Sequence, residues 1–123
     1  MASLAIFGLV VYNRATAIDR STPTVVAEQF LGASLIDRDA GRVTLFVCES
    51  WPAADALAAT AMPTGASVSW DEFTLQPEGD DTIVSVNVRF SIDQESVTHF
   101  GIEPWHLRLV NRDGWRVCGI ERS

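Results

Sequence analysis

The side chains in this sequence that could take part in catalysis are few, and they fall into two pairs. The first pair is His99 and His106, because histidine is the residue type most often used for proton transfer or pH sensing. Asp71 and Glu72 are adjacent, so a β-bulge could aim one of them into a pocket, where burial would raise its pKa toward general-base use. The simpler interpretation places both histidines on the wet face of a strand and both carboxylates at an exposed bulge.

Motifs that would define a particular reaction are not found in the sequence. There is no Gly-x-Ser-x-Gly, no GxGxxG and no P-loop, and neither cysteine has a histidine nearby in sequence. A metal site from His99, Glu103 and His106 is disfavoured, because this spacing on a strand interrupted by Gly and Pro does not converge reliably. We therefore assign no catalytic residue and no metal ligand, and we expect no cofactor.

Aromatic side chains are better candidates for binding than for catalysis. Tryptophans and phenylalanines on a curved sheet could line a concave apolar cavity, and ligand pockets are mostly apolar with few polar groups. The alternative is that these aromatics form an ordinary core. The predicted pocket consists of Trp51, Trp70, Asp71, Glu72, Phe90 and Trp105.

The two cysteines, Cys48 and Cys118, are 70 positions apart and flanked by apolar residues. They are either buried free thiols or one structural disulfide that ties a helix to the last strand. A disulfide closing a loop of that length would stabilise the fold by about 4 kcal/mol in the chain-entropy model. It would also indicate an oxidising compartment.

Length and charge limit the class of protein. The chain has 123 residues, with sixteen acidic residues, nine Arg and no Lys, for a formal charge of −7. This length is typical of one domain with an autonomous core. Without a basic block, nucleic-acid binding is not expected, because phosphate recognition needs clustered cations.

The N-terminal segment begins with an unbroken apolar run from Leu4 to Val11, closed by Arg14. As a helix it would rise about 12 Å, far less than a bilayer core of roughly 30 Å. It is either packed on the domain or the outer end of a transmembrane helix. We expect residues 1–21 to be this segment plus a juxtamembrane linker, and residues 22–123 to be the domain.

Helical patterns come first in the domain and strand patterns follow. Thr22-Pro23 starts a helix of about sixteen residues, Asp39 can cap a short second helix, and Pro52 opens a third. After Gly65 the period becomes twofold, with a phase slip near Asp71 that is typical of a β-bulge. Four strands are predicted, the third of them interrupted at Gly101 or Pro104. This order predicts an α+β domain whose helices cover one face of a curved antiparallel sheet.

The ending WHLRLVNRDGWRVCGIERS, together with this order of elements, resembles the NTF2-like (cystatin-like α+β) superfamily over about Thr22 to Arg122. The resemblance implies a cone in which helices and sheet enclose a pocket that some members use for catalysis. Ketosteroid-isomerase-like members use a buried carboxylate and a tyrosine, but the one tyrosine here, Tyr12, lies outside the matched region. More narrowly, the chain resembles membrane-anchored proteins of GC-rich bacteria.

Three functional hypotheses follow. The favoured one is a non-enzymatic, extracytoplasmic interaction or assembly domain on a membrane anchor. The second is a small-molecule-binding or SnoaL-like enzymatic domain that uses the cone pocket, and the third is a cytoplasmic subunit of a larger complex. The implied partners are a membrane at the N-terminus and a protein, or a weak homodimer, at the polar sheet face around Arg89 and His106.

Overall fold

The helical part of the domain begins where the sequence offers a cap. The computed structural model describes residues 19–63 and 65–122. Helix α1 (Pro23–Leu31) starts at Thr22, whose hydroxyl accepts a hydrogen bond from the Val25 amide at 3.2 Å. It continues directly into a π-helical turn (Gly32–Asp37) that ends at Arg38, whose φ is +49°. The long first helix is therefore present, but its last six residues are wound as π-helix instead of α-helix.

Two short helices complete the helical layer. Asp39 caps α2 (Ala40–Thr44) by accepting hydrogen bonds from the amides of Gly41 and Arg42, as the sequence predicts. Pro52 occupies the N-cap of α3 (Ala53–Ala59). In the part of the chain that is described, no helix is both long and apolar enough to cross a membrane. The apolar run Leu4–Val11 lies outside the described residues.

The four strands form one antiparallel sheet in the order β1-β2-β3-β4: β1 (Ser67–Glu78), β2 (Asp81–Gln94), β3 (Val97–Asn111) and β4 (Trp115–Arg122). The predicted bulge is confirmed, because the β1–β2 register shifts between Asp71 and Thr74. The predicted interruption of β3 is wrong. Its pairing with β2 continues through Gly101 and Pro104, because Phe90 covers the glycine and the proline sits opposite Asn87 without breaking the register.

The helices pack on one face of this sheet and form the core there. Alternate residues of β2, β3 and β4 point toward α1 and are almost fully buried, each contributing about 1.5–3 kcal/mol through burial. These sheet residues are Val84, Val86, Val88, Trp105, Leu107, Leu109 and Val117. The opposite face, called the outer face below, carries the polar residues of the same strands, Ser85, Asn87, Arg89, His106 and Arg108 among them.

A disulfide joins Cys48 to Cys118, with the two Cα atoms 5.0 Å apart. Of the two alternatives that the sequence leaves open, the structure has the disulfide, but Cys48 lies after α2, not within a helix. The segment that carries it runs parallel to β4: Val117 donates to the Phe46 carbonyl at 2.8 Å, and Cys48 donates to the Val117 carbonyl at 2.9 Å. This segment therefore covers part of the edge of β4 and is covalently held there.

Candidate functional site

The space between helices and sheet, where the resemblance implies a pocket, is largely occupied by side chains. Trp105, Phe30 and Phe46 are all at most 1 % exposed. Trp51 lies against Phe30, with ring centroids 5.9 Å apart and planes inclined by 36°. Two of the predicted pocket residues, Trp51 and Trp105, therefore pack within or against the core.

The indole of Trp105 belongs to a polar cluster at the C-terminal end of β4. Its Nε1–H donates to Glu103 Oε1 at 2.7 Å, and Arg122 Nε donates to the same oxygen at 2.7 Å. The Arg122 guanidinium also lies over the Trp105 ring, 4.5 Å from the ring centroid. The three residues meet because Trp105 and Arg122 are register partners on the core-facing side of β3 and β4, with Glu103 two residues along on the same side.

Electrostatics at this cluster favour a charged carboxylate. The hydrogen bond from Arg122 holds the pKa of Glu103 below its ordinary value. Burial opposes this effect by raising the pKa, while the hydrogen bond from Trp105 and the positive charge of Arg122 lower it further. Glu103 is therefore an ionised acceptor that orients Arg122, and it is poorly suited to act as a general base.

Two arginines bind the carbonyl groups at the end of α3. Arg122 donates to the carbonyls of Ala59 and Ala61, at 3.2 and 2.9 Å. Arg38 donates to the Leu57 carbonyl at 2.9 Å and to both the carbonyl and hydroxyl oxygens of Thr60. Helix ends leave such carbonyls unpaired, so the two guanidinium groups fix α3 to the sheet and to the π-helical turn.

A small cavity remains beside this end of α3. It has a volume of about 200 Å³ and is bordered by the Arg38 side chain. Its lining combines apolar residues with one buried hydroxyl: Leu35, Thr60, Met62, Pro63, Ala66 and Val68. This volume is below the roughly 300–1,000 Å³ typical of pockets for drug-sized ligands.

The two carboxylates at the bulge interact with the outer face of the sheet. Asp71 Oδ2 accepts from Arg89 Nε at 3.2 Å, and Glu72 Oε2 accepts from Asn87 Nδ2 at 2.5 Å. Glu72 has a φ of +62°, which is the backbone distortion that the bulge requires. Both carboxylates are exposed, so they lie in a solvated environment instead of a desolvated one.

The remaining predicted pocket residues, Trp70 and Phe90, lie on β1 and β2 and are offset from each other by two register positions. Trp70 pairs with Val88 and packs partly buried against the core. The Phe90 ring lies over Gly101, where a Cβ atom would overlap it. The six predicted residues are thus divided between the core, the strand ends and the outer face.

The histidines take separate positions on β3. His99 is exposed near the β2–β3 turn. His106 Nδ1 lies 2.8 Å from Ser85 Oγ, its register partner on the outer face. Around this pair the outer face forms a hollow of about 570 Å³, lined among others by Gln76, Arg108 and Glu121. In the described part of the chain, no group of three or more His, Cys, Asp or Glu side chains could hold a metal ion.

An apolar surface at the far end of β3 is the feature that sequence reasoning missed. Phe100 is 82 % exposed and Ile102 is 58 % exposed. We call these two residues the β3 patch. They adjoin a hollow of about 350 Å³ that includes Ser69, Arg89 and Phe90. The signal was available, because Phe100 and Ile102 share the even-numbered phase of His106 and Arg108 on this strand.

Comparison with known proteins defines the fold but not the activity. Neither a protein-family model nor a curated protein matches the chain. Among solved structures, the chain is similar to a protein from Shewanella frigidimarina whose crystal structure is described as a "putative ketosteroid isomerase". The TM-score is 0.58 at 14 % sequence identity, over 80 % of this chain and 91 % of the other. The chain therefore has an NTF2-like α+β fold, with helices followed by a curved four-stranded antiparallel sheet.

Proposed function

We propose that this NTF2-like domain is a non-enzymatic interaction module of an oxidising, extracytoplasmic compartment, held at a membrane by the N-terminal apolar segment. The observation that carries the proposal is the β3 patch, Phe100 and Ile102, on a domain whose interior is occupied by Trp105 and Phe30. Exposed groups of large apolar residues are typical of surfaces that bind another protein. The disulfide between Cys48 and Cys118 supports the oxidising compartment.

The partner in this proposal is a protein that covers the outer face at the β3 patch. Arg89 borders the patch and pairs with Asp71, so the apolar centre has a polar rim. A central apolar cluster with a polar rim is the usual anatomy of a protein interface. A weak homodimer through the same face is the other partner that fits this arrangement.

Photo-cross-linking from the patch tests the proposal. A photoreactive residue at Phe100 should form a discrete cross-linked product in cells, whereas the same residue at Thr74, exposed on the outer face of β1, should not. Replacement of Phe100 changes stability by less than about 0.5 kcal/mol, because surface substitutions rarely cost more. A self-linked product would identify the homodimer. Equal products from both positions, or none from Phe100, would refute an interface at the patch.

A small-molecule function is the second candidate, favoured by the cavity of about 200 Å³ beside Arg38 and by the description of the structural neighbour. Enlarging the cavity with Val68→Ala should then tighten binding of small apolar carboxylates, measured by a ligand-dependent rise in the unfolding temperature. A matched variant, Leu75→Ala, alters an exposed apolar residue of the same strand. If both variants respond alike to the ligands, the cavity is not a binding site.

A further inference from the structure

Some of the described arginines have a carboxylate partner and others do not. Four of the described arginines form ion pairs: Arg42 with Asp37, Arg89 with Asp71, Arg108 with Asp81 and Arg122 with Glu103. Arg38 donates to carbonyl groups of α3 and of the π-helical turn. Within residues 19–63 and 65–122, Arg20, Arg112 and Arg116 make no ion pair. In a chain with a formal charge of −7, these three cations, like Arg38, have no carboxylate partner among the described residues, and Arg20 instead donates to the Leu45 carbonyl at 2.8 Å.

The three unpaired arginines meet at one end of the sheet, around the β3–β4 turn. Arg116 Nε donates to the Arg112 carbonyl at 3.2 Å, and the Trp115 amide donates to the Arg20 carbonyl at 2.9 Å. Burial lowers the pKa of Arg20, and the nearby positive charge of Arg116 lowers it further. Like charges held this close favour an anion between or beside them.

A groove opens beside this cluster, next to the disulfide. It has a volume of about 610 Å³ and is lined by Cys48, Glu49, Ser50, Arg112, Asp113 and Arg116. We call it the arginine groove. Glu49 and Asp113 contribute negative charge, so its affinity for an anion is limited to a reversible contact. The guanidinium groups supply forked N–H donors, whose geometry matches the oxygens of a phosphate.

The position of the groove suggests where such a phosphate would come from. The chain reaches the domain at Arg20, directly against the β3–β4 turn. An extended chain covers at most about 3.6 Å per residue, so residues between Val11 and Asp19 span no more than about 30 Å. If Leu4–Val11 lies in a bilayer, as the proposed function holds, the arginine groove is within reach of the headgroups.

We propose that the arginine groove binds the phosphate of an anionic phospholipid headgroup and thereby orients the domain on the membrane. This inference rests on the proposed function in one respect only, namely that the N-terminal segment places the domain next to a membrane. Phosphate is the recognised chemistry, and Arg112 and Arg116 are the groups that contact it. The β3 patch lies near the opposite end of β3 from the β3–β4 turn, so this orientation would leave it facing away from the bilayer.

The test uses the full chain and compares co-sedimentation with phosphatidylcholine vesicles and with vesicles that also contain phosphatidylglycerol. Wild type should bind the anionic vesicles about tenfold more tightly, since each arginine near an anionic surface adds attraction that salt screens. The double variant Arg112→Gln/Arg116→Gln should lose this preference. The control Arg89→Gln/Arg108→Gln removes the same charge from ion-paired arginines elsewhere and should keep it within about twofold.

The variant Asp113→Asn should strengthen binding to anionic vesicles, because it removes a competing carboxylate from the groove. Asp113 has a φ of +53°, a conformation that asparagine tolerates, so the turn should be retained. Unfolding temperatures of all variants establish that each is folded at the temperature of the assay. Equal loss in both double variants would show a net-charge effect, and an unchanged preference in the groove variant would exclude the groove; either result overturns the proposal.

Titration with inorganic phosphate, followed by the amide resonances of residues 112–116, separates lipid from soluble phosphate. Saturable shifts without any preference for anionic vesicles would assign the groove to a soluble phosphate and overturn the lipid proposal. If the protein does not bind neutral vesicles but keeps its preference for anionic ones, the proposed N-terminal membrane anchor is refuted and the phosphate site in the arginine groove is supported. The two proposals therefore fail in different measurements.

Discussion

Replacing Arg122 with alanine should destabilise the domain far more than its position at the end of β4 suggests. The side chain makes an ion pair with Glu103, a cation–π contact with Trp105, and hydrogen bonds to the Ala59 and Ala61 carbonyls. Its ion pair is partly shielded, with the Arg122 and Glu103 side chains 30 % and 26 % exposed. The substitution therefore removes one contact with β3, one with the core, one with the last residue of α3 and one with the segment that follows α3.

The magnitude follows from these four contacts. A partly buried ion pair contributes about 1 kcal/mol, a cation–π contact about 0.5–1 kcal/mol and each hydrogen bond about 0.5–1 kcal/mol. Water regains access to some of these groups in the variant, and neighbouring contacts are not additive. We therefore expect a loss of about 2–3 kcal/mol in the free energy of unfolding, which lowers the melting temperature of a domain of this size by about 10 °C.

Urea unfolding of wild type, Arg122→Ala and the control Arg89→Ala measures this difference. Arg89 also forms an ion pair, with Asp71, but the two side chains are 44 % and 49 % exposed, so its loss should cost no more than about 0.5 kcal/mol. A double-mutant cycle of Arg122→Ala with Glu103→Gln isolates the pair itself. If Arg122→Ala costs no more than Arg89→Ala, the attachment of α3 through its carbonyl groups is not what stabilises this end of the domain.

Three further predictions concern pH, redox state and packing. Arg122 lowers the pKa of Glu103, so the ionised Glu103 contributes fully to stability above the unfolded pKa of about 4.3, and this contribution is lost as pH falls through the lower folded pKa. Glu103→Gln should therefore flatten the acid side of a curve of unfolding free energy against pH. Oxidised protein should show no free thiol on titration, and Cys48→Ser should lower stability by about 4 kcal/mol, as reduction does; a smaller loss on reduction would contradict the loop-closure argument. Gly101→Val should displace the Phe90 ring and cost about 1–3 kcal/mol by thermal unfolding, while Gly119→Val, whose added Cβ meets open space, should cost less.

Much of the fold could be predicted because its signals are local. Thr22 and Asp39 could be recognised as helix caps because a hydroxyl or carboxylate that precedes an apolar stripe is a local signal. Alternation along β2 likewise separates its buried from its exposed residues without knowledge of the partner strands. The phase slip at Asp71 also made the bulge predictable, because one extra residue in a strand reverses the alternation of its side chains. The predicted break in β3 was wrong because Gly and Pro weaken a strand only where nothing compensates, and here Phe90 covers Gly101.

The candidate sites depended on contacts that no local pattern contains. Nothing in the spacing of Arg122 and Ala59 indicates that a guanidinium reaches the end of α3, and sequence alone left Cys48 and Cys118 open as free thiols or a bond. Whether Trp105 lines a cavity or fills the core depends on how closely α1 and α3 approach the sheet.

What the amino-acid sequence alone determined was the order of helices and strands, the face of β2 that is buried, and the acidic, lysine-free composition that makes a nucleic-acid groove unexpected. Tertiary structure decided which distant residues meet: the Glu103–Trp105–Arg122 cluster, the β3 patch and the arginine groove. The physical reason is that backbone periodicity is set within a few residues, whereas a site requires strand register and layer packing to bring together residues that are far apart along the chain.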